Sequence, residues 1–305
     1  MSAPQTILVS GASGLVGSAL VPFLQEHKHV VRRLVRSSKP DQPGNVYWDP
    51  ERDLIDRASL SGIDTVIHLA GESIAGRWSA AKKEKILESR VRGTRLLAES
   101  LAGLAKRPRL FICASAVGIY GDRGDEPLTE SAPPGKGFLA EVCTAWEDSS
   151  HLAQSAGIRT VNLRFGLILS RNGAALAKLR PIFRLGLGGV VGSGKQFMSW
   201  IWLSDVLGIV EHILSHDELK GPVNTVSPTP VTNSEFTKTL AEVLRRPAVL
   251  PVPAPAVRLL LGEFANEALL SSTRALPEKL VQSGYQFLGP SLSAVLATEL
   301  PRNVE

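Results

Sequence analysis

Cysteines, aromatics and long apolar runs are all scarce in this chain of 305 residues, and each scarcity excludes something. The two cysteines, Cys113 in a strand-like run and Cys143 in a helical one, have neither disulfide-framework nor metal-ligand spacing. The six histidines are scattered. Even the nearest pair, His27 and His29, lacks the Cys, Asp or Glu constellation that holds zinc, so no metal site is expected. No stretch approaches the ~18 uninterrupted apolar residues of a membrane span, and TILVS starts a strand pattern at Thr6, where a leader would lie. A cytoplasmic location, with no membrane partner, is the expectation. Aromatics are only 6% of the chain and the basic residues are dispersed, so the net charge of +5 does not read as a nucleic-acid surface.

What is present has the composition of an ordinary soluble globular protein, 44% hydrophobic and 21% charged. TILVS runs into GASGLVGSALVPFLQEH, with glycines at 11, 14 and 17 and then Leu15, Leu20, Phe23 and Leu24 at helical spacing. Strand, tight turn and helix in that order place backbone N–H groups at a helix amino terminus, where a pyrophosphate is held. Gly11, Ser13, Gly14, Leu15, Val16 and Gly17 are therefore the candidate phosphate-binding residues of a dinucleotide. The next strand, HVVRRLVRS, ends in Arg36 and Ser37, with no acidic residue to accept from adenosine ribose hydroxyls. A guanidinium there suits the 2'-phosphate of NADP, so NADP(H) is the expected cofactor.

DTVIHLAG, RPRLFICASAVGIYG and IRTVNLRFGLILS read as further strands, with helical segments between them. The alternation predicts a Rossmann-type, doubly wound parallel α/β sheet over residues 1–170 and a smaller C-terminal substrate lobe over 171–305, with elements returning to the sheet. Ligands lie beyond the carboxyl ends of such strands, which adds Leu69, Ala70, Gly71, Ser115 and Leu167 to the cofactor candidates. His68, inside a strand pattern, reads as a satisfied core residue. Gly189 to Lys195 matches the spacing of a phosphate loop, but Gln196 replaces the Ser or Thr that would hold magnesium and no strand precedes it, so an NTPase is rejected. That loop reads either as flexible surface or as a wall or lid of the substrate crevice.

Taken together, GASGLVG, DTVIHLAG, VRGTRLLAESL, SAVGIYGD, RFGLILS and WIWLSDV resemble the extended short-chain dehydrogenase/reductase superfamily. GESIAGRW, GSGKQFMSWI and SSTRALPEKLVQSGYQF narrow the resemblance to an atypical epimerase-family branch, NAD-dependent epimerase/dehydratase-like, sometimes labelled nucleoside-diphosphate-sugar epimerase or cell-division inhibitor. The resemblance implies a Tyr and a Lys four residues apart on one helix face, assisted by a Ser and an Asn. Here GFLAEVCTAWE offers Leu139 and Cys143 at the first two positions, Ala116 with Ser115 beside it at the third, and Arg90 at the fourth. Arg90 brings fixed positive charge toward the cofactor, unless it pairs with Glu88 or Glu99 on the helix surface. Tyr120, Ser115 and Cys143 are the weak catalytic candidates, with Glu72 and Lys195 as other groups able to move a proton.

Three roles stay open: an NADP(H)-dependent oxidoreductase or epimerase, a non-catalytic NADPH-sensing protein that acts on a protein partner, and an assembly role with the nucleotide as folding ligand. The substrate is a small molecule of unassigned identity, bordered by Arg77, Trp78 and residues 184–202, and the chain is expected to be a monomer or a homodimer.

Overall fold

A computed structural model describes residues 3–36 and 44–301, so Ser37 lies outside the described residues. In chain order its strands are β1 (Thr6–Ser10), β2 (Val30–Val35), β3 (Val46–Asp49), β4 (Leu54–Ile55), β5 (Thr65–His68), β6 (Leu110–Ala116), β7 (Pro127–Leu128), β8 (Arg159–Phe165), β9 (Leu167–Leu169), β10 (Phe197–Met198), β11 (Trp200–Trp202), β12 (Gly221–Thr225), β13 (Val231–Thr232) and β14 (Arg274–Ala275). Eight of them form one sheet in the order β12-β8-β6-β5-β1-β2-β3-β4. All neighbours in it are parallel except β3 and β4, which close the edge as a short antiparallel pair. This is the predicted Rossmann-type architecture, with β3 and β4 as an extension that their brief VYWD and LI patterns did not signal.

Helices cover both faces. α1 (Leu15–Glu26) lies on one face, and α2 (Ala80–Ala102), α3 (Phe138–Asp148) and α4 (His151–Ser155) on the other. β1 shows why its sequence is apolar without alternation: Ile7 and Val9 pack with Leu20 and Leu24 of α1, while Leu8 packs with Leu97 and Leu101 of α2. After β9 come α5 (Ala174–Arg184), α6 (Leu203–Ser215), α7 (Asn233–Leu244), α8 (Ala254–Leu261), α9 (Glu278–Gln282) and α10 (Leu292–Glu299). Of these, α6 returns to the α1 face and β12 to the sheet edge. α5, α7 and α10 build a separate core around Phe183, Trp200, Phe236 and Leu296. A π-helical segment, Ala265–Leu270, follows α8, and β14 pairs with β7, tying the tail to the chain beyond β6.

The chain runs outward from β1 through β2 and β3, then returns to β5 on the other side of β1. The carboxyl ends of β1 and β5 therefore part at a topological switch point, and the crevice opens there.

Candidate functional site

The floor of the crevice is backbone. Gly11 has φ +68°, and a Cβ there would lie 2.8 Å from both Ala70 N and Leu69 C. The turn after β1 thus touches the turn after β5, an approach only glycine permits. A Cβ on Gly17 would lie 2.2 Å from Gly11 O, so α1 also packs against the turn. Gly14 caps α1 without a side chain, and the first-turn N–H groups of Leu15, Val16 and Gly17 have no acceptor among the described residues. Ser13 stands exposed beside them. A Cβ on Gly173 would reach Leu15 Cδ2 at 3.3 Å, which brings the chain after β9 against the same corner, and Leu167 is held nearby through its N–H to Ser199 O, 2.7 Å.

Ser10 ends β1 and His68 ends β5, paired in register. Ser10 Oγ accepts from Leu69 N–H at 3.1 Å and Ala70 N–H at 3.4 Å, and lies 2.6 Å from His68 Nδ1. His68 is buried as expected, but it is only half satisfied: Nε2 has no partner among the described residues. Burial holds its pKa down at about 3, which keeps the ring neutral.

Arg90 is not a helix-surface arginine paired with Glu88 or Glu99; those carboxylates pair with Arg92 and Arg95. Its Nη1 donates to the carbonyls of Glu72 and Ile86, both at 2.9 Å, and its guanidinium lies 4.9 Å from the Trp146 ring centre. A Cβ on Gly71 would stand 3.4 Å from Arg90 Cζ, so the guanidinium underlies the Leu69–Gly71 turn. Arg36 follows β2 directly and is exposed.

Across the crevice, the positions that the resemblance sets against the superfamily's catalytic residues are closed. Leu139 packs on the turn after β6, where a Cβ on Gly118 would meet Leu139 Cβ at 3.3 Å. Cys143 is buried next to it, and burial raises its thiol to about 12 despite the nearby Arg90 charge, so it stays protonated. Ser115 Oγ donates to Glu147 Oε1 at 2.7 Å. Arg164 grips the same carboxylate twice, at 2.8 and 2.9 Å, and donates from Nη1 to Tyr120 Oη at 2.9 Å. The Tyr120 hydroxyl faces Asn224 Oδ1 at 2.7 Å and Thr129 O at 3.0 Å, and desolvation raises its pKa. Tyr120 is thus held in a buried network that joins β6, α3, β8 and β12. Glu147, Arg164 and Asn224 were missed by the sequence reading. A charged residue at an inward position of the apolar NLRFG strand is the one local signal of such a partner.

The loop after Gly71 meets the tail. Trp78 packs edge-on with Phe138 and Phe264, Arg77 donates to Leu259 O, and Lys83 pairs with Glu263 at 2.8 Å. Glu267, also missed, receives Leu139 N–H at 3.1 Å and caps α3. Lys82 pairs with Glu72 at 2.5 Å, which lowers the Glu72 pKa. Residues 190–196 are held in place by hydrogen bonds: Val191 N–H bonds Asn233 Oδ1, and Gln196 Nε2 bonds the carbonyls of Val191 and Leu269. Lys195 is exposed. Among the described residues there is no group of three or more His, Cys, Asp or Glu that could hold a metal, and no helix long and apolar enough to cross a membrane.

With this geometry in view, the comparisons with known proteins agree. The model of the NAD dependent epimerase/dehydratase family matches residues 7–226, and that of a domain of unknown function (DUF1731) matches residues 252–299. The epimerase family protein Mb2239 of Mycobacterium bovis is 41% identical over 284 residues, 92% of this chain and 93% of its own. The crystal structure of human epimerase family protein SDR39U1 (isoform 2) with NADPH superposes with a TM-score of 0.88 at 33% identity, covering 96% of this chain and 98% of the human one. The nucleoside-diphosphate sugar epimerase from Corynebacterium glutamicum gives 0.81 at 37% identity, over 98% of this chain and 58% of that one. The chain belongs to the NAD dependent epimerase/dehydratase family.

Proposed function

We propose that this protein binds NADPH at the β1/β5 switch point and is an NADP(H)-dependent oxidoreductase or epimerase that works without the superfamily's Asn-Ser-Tyr-Lys set. The observation that carries this is the uncapped start of α1, closed on the Leu69–Gly71 turn through Gly11 and Gly17, with Arg36 standing exposed after β2. The residues fit the group. The free N–H groups of Leu15, Val16 and Gly17 suit a pyrophosphate, and Arg36 suits a 2'-phosphate. Arg90, beneath Gly71, adds fixed positive charge to the middle of the crevice. When bound, the nicotinamide supplies hydride chemistry, for which the protein needs only orientation and exclusion of water. In this reading residues 1–170 hold the cofactor, and residues 171–305 supply the substrate lobe, whose tail meets Arg77 and Trp78.

A second reading, an NADPH-sensing protein without turnover, is favoured by one observation: Ser115, Tyr120 and Cys143 are all buried and the two hydroxyls are bonded to protein groups. Calorimetric titration with NADPH and NADH tests the shared part. Preferential NADPH binding is expected, and equal or absent binding overturns it. Loss of nicotinamide absorbance across a panel of carbonyl substrates then supports the oxidoreductase, and its absence with retained binding supports the sensor.

A further inference from the structure

The face opposite in character to the polar crevice is built by two loops that run side by side. One follows α5, residues 185–191, and the other follows α7, residues 245–252. Val252 N–H bonds Val190 O and Gly192 N–H bonds Val252 O, both at 2.9 Å, and a Cβ on Gly186 would touch Pro247 Cγ at 3.7 Å. Four aliphatic side chains project from them: Leu185 is 74% exposed, Leu187 54%, Val249 80% and Leu250 47%. Single exposed aliphatics are ordinary; four on adjoining loops form a patch. The patch is held stiffly, because Gly188 packs on the buried ring of Phe183 and Gly189 on the Leu250 carbonyl.

Charge decides what covers it. Arg184 precedes the first loop and Arg245 and Arg246 open the second, all exposed. Lys238, Arg245 and Arg246, with Glu242 as the one acid, line an open groove of about 420 Å³ beside the patch, floored by Val190, Ala241 and Ala248. A two-fold contact centred on the patch would bring two like-charged sets of these arginines into one interface. Leucine and valine tips neighboured in the chain by Arg184, Arg245 and Arg246 match instead the boundary between headgroups and acyl chains, where apolar side chains insert shallowly and arginines meet lipid phosphates.

We propose that this face docks the protein peripherally on an anionic lipid membrane, with Leu185, Leu187, Val249 and Leu250 inserted and the groove along α7 taking a lipid headgroup. This changes, for one face, the expectation of no membrane partner, which rested on the lack of a spanning run. It is independent of the cofactor reading.

The test is cosedimentation of the full chain with vesicles of phosphatidylcholine alone and with about 30 mol% phosphatidylglycerol. Binding is expected on the anionic vesicles only, falling about tenfold or more when salt is raised from about 0.1 to about 0.5 M. The double variants L185S/L187S and R184E/R246E should each bind about tenfold more weakly at an unchanged thermal unfolding temperature. Equal binding to both vesicles, binding untouched by L185S/L187S, or no binding overturns the proposal. So does a wild-type dimer that L185S/L187S makes monomeric, which assigns the face to a second copy. Binding to soluble polyglutamate but not to vesicles, lost in the serine variants, assigns it to an acidic polypeptide.

Discussion

Ser10 Oγ lies 2.6 Å from His68 Nδ1 while accepting two turn N–H groups, and the other nitrogen of the ring is Nε2. That nitrogen is buried beside Trp48 and Phe111 without a partner. The pair thus couples the floor of the crevice to a ring that stays neutral in the folded state down to about pH 3.

A pH dependence follows. The folded-state pKa of His68 is depressed to about 3 from an ordinary 6.5, so the unfolded chain takes up the proton first as pH falls. Stability is full above about pH 6.5 and is lost progressively toward pH 3. Between pH 7 and pH 5 the loss from this group is about 2 kcal/mol. Urea unfolding of wild type and His68→Asn at both pH values checks it, since Asn can still accept from Ser10 but cannot titrate. An acid limb of the same steepness in the variant would remove His68 as its source.

Arg36→Glu reverses the charge at the edge of the proposed 2'-phosphate site. Arg36 is exposed, so the fold should be unaffected. NADPH affinity should fall by about a hundredfold, and NADH affinity by less than about threefold, because only the phosphate distinguishes them. Parallel calorimetric titrations decide, and an equal loss for both cofactors would place the adenosine ribose elsewhere.

The doubly engaged Glu147 supports a different expectation. Its carboxylate takes Ser115 Oγ and two Arg164 donors inside the protein. Glu147→Gln leaves Arg164, whose pKa this partner raises, as a buried cation with weakened compensation. The cost should be about 3 kcal/mol, read as a lower denaturation midpoint with an unchanged slope. A loss under about 1 kcal/mol would mean that water enters and solvates Arg164.

The fold was legible because its signals are local. TILVSGASGLVG carries strand, turn and helix within twelve neighbouring positions, and β6 and most of β1 read as apolar runs. The candidate site was legible where backbone makes it and obscure where side chains meet from afar. Arg90 had Glu88 and Glu99 as plausible local partners, yet they serve Arg92 and Arg95, and Arg90 turns inward onto Trp146. Tyr120 looked like a free phenol because Arg164 and Asn224, which hold it, are 44 and 104 residues away. Glu267 comes from the tail, 128 residues beyond the Leu139 N–H that it caps.

Arg90 also determines what happens when the missing lysine is put back. Cys143 stands where the resemblance sets a lysine; it is buried, so its thiol pKa is raised, and the Arg90 charge pulls it partly back down. A lysine at that position would bring a second cation into a space where Arg90 is already partly desolvated, its own pKa lowered by burial. Cys143→Lys should therefore destabilise the protein by about 3 kcal/mol. Arg90→Asn, which supplies the amide usual at that position in the superfamily, should recover at least half of this when combined with it. A double-mutant cycle measured by denaturant unfolding separates the terms, because side chains that share a site are non-additive. Additive costs would mean that the two positions do not share an environment. A favourable coupling would mean that the two positions share one electrostatic site, where a lysine at 143 is tolerated only without the arginine at 90.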